Sequence, residues 1–171
     1  MGMIGIILGN IKNMRQAKKL RALGRDGLLA LDDDALYDAA ACMSRDGVME
    51  IDDPGLPEQL VNIYALTQFE AEVNNGGLCQ FFVNSSRVVA PYVSDYMALI
   101  GASEHKALFD GFISQHRIDL NDLSSFIIHR HRDYEAQTKR YPFDEYDDAF
   151  YALPSLEEPL TAYIKANLSH F

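Results

Sequence analysis

The residues of this chain best equipped for chemistry crowd into one stretch, Glu70 to Ser86, which reads EAEVNNGGLCQFFVNSS. Glu70, Glu72, Asn74, Gln80, Asn84 and Ser85 offer carboxylates, amides and a hydroxyl, adequate parts for general acid–base hydrolysis if one cleft gathered them. What the stretch lacks is a way to activate a nucleophile. No base adjoins Ser85 or Ser86, no histidine falls within the stretch, and neither Cys42 nor Cys79 has an activating partner nearby in sequence. A structural role for Glu72, Asn75, Gly76, Gly77, Gln80 and Asn84 is therefore expected, with Gln80 and Asn84 bonding carbonyls left open at a helix break and Glu72 receiving amide or backbone donors. A hydrolase built on Glu72, Gln80 and Asn84 is the lesser alternative, and a role in contacting a partner is another.

Metal chemistry is not expected. His129 and His131 stand two apart on a helical segment, so their side chains point about 200° from one another and cannot readily share an ion. The acids around Asp46, Glu50, Asp52 and Asp53 do not follow the ligand spacing of a calcium loop. Cys42 and Cys79 lack any paired spacing and read as buried, reduced thiols, which suits a cytoplasmic setting.

The elements that must position these residues are helical. Leu60, Ile63, Tyr64, Leu66, Phe69 and Val73 recur at three- and four-residue steps, broad enough around a helix to mean burial on more than one side. Asn74-Asn75-Gly76-Gly77 should stop that helix, and a second short one should place Gln80 and Asn84 on a shared face. Before it, residues 10 to 23 predict a basic helix with Ile11, Met14, Leu20 and Leu23 as its apolar side, ended by Gly24 and Gly27. A helix from Ala35 to Ser44 follows, opened by Asp32-Asp33-Asp34 and buried through Leu36, Ala39, Ala40 and Met43. Residues 45 to 58 read as loop.

Beyond the central stretch, Val88 to Ile100 predicts a helix with Pro91 in its first turn and Gly101 as its stop. Ser103 should cap the next, Leu120 to Arg140 should form another along Leu123, Phe126, Ile127, Arg130 and Tyr134, and Ser155-Leu156-Glu157-Glu158-Pro159 should open a last one through Leu168. No alternating strand pattern or repeat occurs, so the fold class is all-α: a single compact multi-helix domain of about seven to nine helices.

A chain of 171 residues, 48% hydrophobic, is large enough to hold such a core without disulfides. No apolar run of about 18 residues is present, and the apolar opening Met3 to Leu8 lacks the preceding charges of a secretory signal. Charge is the informative bulk property. Residues 1–30 hold six bases against Asp26, a net +5, so with −10 overall the acidic helical domain at 31–171 carries −15. The basic segment could touch anionic lipid or pair with the acidic body, and packing on the domain is expected. The body would repel a duplex, which argues against direct nucleic-acid binding and for a cationic partner.

Glu72-Val73-Asn74-Asn75-Gly76-Gly77-Leu78-Cys79-Gln80-Phe81-Phe82-Val83-Asn84-Ser85 resembles the hallmark of the DNA-mimic protein family: a glutamate, Asn-Gly-Gly, Gln, two aromatic positions and Asn-Ser. Leu78 stands where that family more often has an aromatic residue. The likeness extends loosely from about Leu36 to Ile164. It implies an acidic, all-helical, non-enzymatic protein that forms a homodimer and occupies the DNA site of a DNA-binding transcriptional regulator. Helical carboxylates at i and i+3 or i+4 lie about 4.5 to 6 Å apart along the axis, comparable with one to two steps of about 3.4 Å along a DNA strand. The acids expected to imitate phosphates are Asp32, Asp33, Asp34, Asp38, Asp52 and Asp53, with Asp144, Glu145, Asp147, Asp148, Glu157 and Glu158. An inhibitor or immunity protein for a basic enzyme or toxin would share this acidity and is the alternative.

Overall fold

The structure, a computed structural model, describes residues 3–48 and 51–170. The side chains of residues 3–11 and of His131 lie outside the described residues, as does Glu50. Nine α-helices and three short 3-10 helices, with no strand, make up the regular structure among the described residues. The all-α expectation holds. The chain divides into two compact units, residues 1–64 with 157–171 and residues 65–156.

In the first unit α1 (Met3–Arg21) packs on α3 (Asp33–Gly47), and α3 packs on α9 (Glu157–Asn167). The expected stripe of Leu36, Ala39, Ala40 and Met43 is fully buried, joined by Leu160 and Ile164 of α9. Asp32 is the N-cap of α3, its carboxylate accepting from Ala35 N at 2.9 Å, while Asp33 and Asp34 occupy the first turn, where the helix dipole favours negative charge. The basic helix α1 packs on α3 within this unit. Arg21 reaches Asp46 at 2.5 Å and the Met43 carbonyl at 2.9 Å.

Two details of that segment differ from expectation. Met14 and Leu23 are exposed and Ala17 is the buried residue, because a small side chain lets α1 lie close against α3. Gly24 begins α2 (Gly24–Leu29) at φ +63°, and Gly27 lies inside that helix. The bases therefore end one helix while the glycine starts another. Cys42 is only half-buried, whereas Cys79 is buried, and both are free thiols.

The second unit holds most of α4 (Glu58–Val83), then α5 (Ala90–Leu99), α6 (Ser103–His116), α7 (His131–Thr138) and α8 (Phe143–Tyr151). Its core is aromatic. Phe69 meets Phe81 edge-on at 5.0 Å and Phe109 at 5.6 Å, and Phe82 stacks on Phe126 at 4.7 Å. Pro91 sits in the first turn of α5 and Gly101, at φ +79°, follows its end, both as expected.

The helix expected from Leu120 to Arg140 is not continuous. A 3-10 turn at Ser124–Phe126 and irregular chain precede α7. Local carboxylates compete with the helical ladder: Asp119 accepts from Asn121 N, Asp122 from Ser124 N, and Asp133 from His129 N and Arg130 N. Ile127 is consequently exposed while Phe126 is buried. Ser103 is the first residue of α6 and makes no cap, the N-cap position belonging to Ala102.

Candidate functional site

The break expected in α4 falls at Gly76 and Gly77. Gly77 has φ +76° and ψ 178°, a region essentially closed to residues with a Cβ. The surroundings close it as well, since a methyl group there would collide with the Asp147 carboxylate. Gly76 is extended at φ −164°, and a Cβ on it would meet the flexible end of Gln80. Asn75 is exposed beside the break.

Glu72, one turn before the break, gathers the polar residues that follow it. Its Oε2 accepts from Gln80 Nε2 at 2.7 Å and Asn84 Nδ2 at 2.8 Å, and its Oε1 accepts from Ser86 Oγ at 3.0 Å. Glu72 thus receives amide donors as expected. Gln80 and Asn84, expected to bond carbonyls left open at the break, donate their amide N–H groups to this carboxylate instead. A single anion holding three donors from the far side of a kink is a strong geometric lock, and charge-assisted bonds are the stronger kind. These three contacts commit the carboxylate to the brace around the kink.

The opened backbone is finished from α8. Leu78 N donates to Asp147 Oδ1 at 2.8 Å, and Tyr151 Oη donates to the Val73 carbonyl at 2.5 Å. Asp147, expected on an outward acidic row, is half-buried and does internal work. Burial pushes its carboxyl above the usual carboxylate range and Asp144 and Asp148 push the same way, while the Leu78 N–H opposes them. Asp144, Glu145 and Asp148 on the same helix are exposed.

In the first unit Asp32, Asp33, Asp34, Asp38, Asp52, Asp53 and Glu158 are exposed. Asp33 is paired with Lys165 at 2.7 Å, and Asp53 closes a turn by accepting from Gly55 N at 2.8 Å. Glu157 of α9 is held above its ordinary pKa, chiefly by burial and then by the neighbouring Asp34 and Asp38 of α3. These three acids form a close group within that unit.

No group of three or more His, Cys, Asp or Glu side chains arranged for a metal ion occurs among the described residues. No described helix is long and apolar enough to cross a membrane. One feature escaped the sequence reading. His105 of α6 is buried and lines a cavity of about 200 Å³ with Glu70 and Asn74 of α4. Its sequence neighbours Ser103, Glu104 and Lys106 are polar and gave no sign of burial, and the other residues that line the cavity are 31 or more positions away.

A family model described as DMP19-like protein matches residues 54–167, well over half of the chain. The chain belongs to the DMP19-like protein family. That is the DNA-mimic family which the Glu72–Ser85 stretch resembles, and the stretch lies inside the matched residues. No curated protein and no solved structure matched the chain. Of the acids above, Asp144, Glu145, Asp147, Asp148, Glu157 and Glu158 fall within the DMP19-like region, whereas Asp32 to Asp53 precede it. The Glu72 lock and the Asp147 contact are also within it.

Proposed function

We propose that this DMP19-like protein is a DNA mimic, which binds a DNA-binding protein such as a transcriptional regulator and blocks its operator site. Membership of the family is the observation that carries the reading, and the charge of −10 supports it. Asp144 and Asp148 are exposed one turn apart on α8, about 6 Å along the axis against about 6.8 Å for two steps of a DNA strand. Glu145 extends the same exposed turn. Asp34, Asp38, Glu157 and Glu158 offer a second set on the other unit. Asp147 is left out of the binding role, since its carboxylate holds Leu78 N.

A basic recognition surface would gain charge-assisted hydrogen bonds to these carboxylates, and the association should weaken as salt screens them. The protein acts as a homodimer in this reading, and light scattering should report two chains. Charge removal tests the placement. Asp144→Asn, Glu145→Gln and Asp148→Asn together should loosen the partner severalfold while the fold survives, with a shallower salt dependence. Unchanged affinity would remove α8 from the binding surface. A partner that is a basic enzyme or toxin, with no DNA to compete for, would favour the inhibitor alternative instead.

A further inference from the structure

Among the described residues, Glu70 is the one carboxylate and His105 the one histidine that are more than nine-tenths buried, at 6% and 5% exposure. Both line the same cavity of about 200 Å³, together with Asn74, Phe150, Tyr151 and Ser155. Burying a charge is expensive unless ionic or hydrogen-bonding partners compensate it, so two such groups converging on one hollow mark a place where polarity has been retained at a cost.

We infer that this cavity is a binding site for a primary ammonium group on a short aliphatic stem. Glu70 supplies the counter-charge. It keeps its protein partners, Ser155 Oγ among them at 3.4 Å, and because a carboxylate accepts up to about four hydrogen bonds a ligand N–H can add to these. His105 supplies a neutral acceptor: burial holds its pKa below the ordinary value in spite of the Pro154 carbonyl and Glu104. A neutral imidazole keeps one ring nitrogen as an acceptor. Asn74 adds an amide oxygen. A carboxylate, an imidazole and a side-chain amide lining one cavity offer acceptors for the three N–H bonds of an ammonium. The rings of Phe150 and Tyr151 line the same cavity and give an apolar wall for the stem. Tyr151 is fixed there by its bond to the Val73 carbonyl and Phe150 by its edge contact with His105 at 5.3 Å.

This site stands apart from the exposed acids, and its test needs no DNA-binding partner. Amide NMR of the full chain titrated with n-butylammonium chloride should show saturable shifts centred on Glu70, Asn74, His105 and Ser155. The neutral isostere n-butanol should leave them unmoved. Glu70→Gln should weaken ammonium binding at least about tenfold; should that variant fail to fold, Asn74→Ala at its exposed position should weaken binding severalfold. Equal shifts with butanol, shifts centred elsewhere, or undiminished binding by the folded variants would overturn the inference. Putrescine and N-acetyl-lysine methylamide separate the sources: tighter binding of the first points to a free amine, and of the second to a lysine side chain. Failure of all three amines to bind overturns the site.

Discussion

The backbone N–H of Leu78 and the carboxylate of Asp147, 69 positions apart in sequence, are joined at 2.8 Å. This bond caps the helical segment that restarts after Gly77. It also separates two roles that the amino-acid sequence merges, because Asp147 belongs to the scaffold while Asp144, Glu145 and Asp148 face solvent. Asp147→Ala should cost about 1–3 kcal/mol by leaving a part-buried donor unpaired. Asp147→Asn keeps an acceptor and removes repulsion from Asp144 and Asp148, so its cost should be small or absent. Urea unfolding of the two variants compares them directly, and equal losses would show that charge, not acceptance from Leu78, is what matters.

Gly77 and Gly76 should respond differently to a methyl group. Gly77→Ala combines a forbidden backbone region with a collision against Asp147, and should cost at least about 2 kcal/mol. Gly76→Ala needs no left-handed backbone and asks only that the Gln80 side chain shift, at the expense of its bond to Glu72. Thermal melts should rank Gly77→Ala well below Gly76→Ala. The reverse order would contradict the geometry of the break.

Removing the anion that collects Gln80, Asn84 and Ser86 should be worse than removing any one donor. Glu72→Ala strands three donors and should cost about 2–4 kcal/mol. Asn84→Ala, at an exposed position, should cost about 0.5–1 kcal/mol. Both should lower the melting temperature. An Asn84→Ala protein of unchanged stability that had lost its partner would move this residue from brace to binding surface.

Glu157 gives a pH dependence of definite sign. Its carboxyl lies above the ordinary value in the folded chain, mainly through burial and then through Asp34 and Asp38. Between the ordinary and the raised value the folded state holds a proton that the unfolded state has lost, so this group's contribution to stability falls as pH rises through that window. Glu157→Gln should therefore be more stable than the parent at neutral pH, with the difference shrinking once Glu157 is protonated. Melting curves of both proteins at neutral and acid pH measure it; a difference that stays constant with pH would rule out the repulsion.

What could be read from sequence was local. The Gly76-Gly77 break, the Asp32 cap, Pro91 in the first turn of α5 and the stop at Gly101 each rest on a residue's own conformational preference or its reach over a few positions. What could not be read was tertiary or a close competition. Asp147 and Asp148 are alike in sequence, and only the position of Leu78 separates them. Residues 119–130 carry enough apolar periodicity for a helix, yet their Asp and Ser side chains satisfy the backbone in turns. Glu70 was visible as a polar residue of the central stretch, but its meeting with His105 depends on how α4 and α6 are placed around α8.

The central claim is that this DMP19-like protein takes the place of DNA. The direct measurement is a gel-shift competition in which the full chain is titrated into a preformed complex of its partner regulator and operator duplex. Free duplex should be released in step with formation of the protein–regulator complex, and less effectively by the Asp144→Asn, Glu145→Gln, Asp148→Asn protein. A ternary complex, in which the regulator holds the protein and keeps its operator, would contradict mimicry.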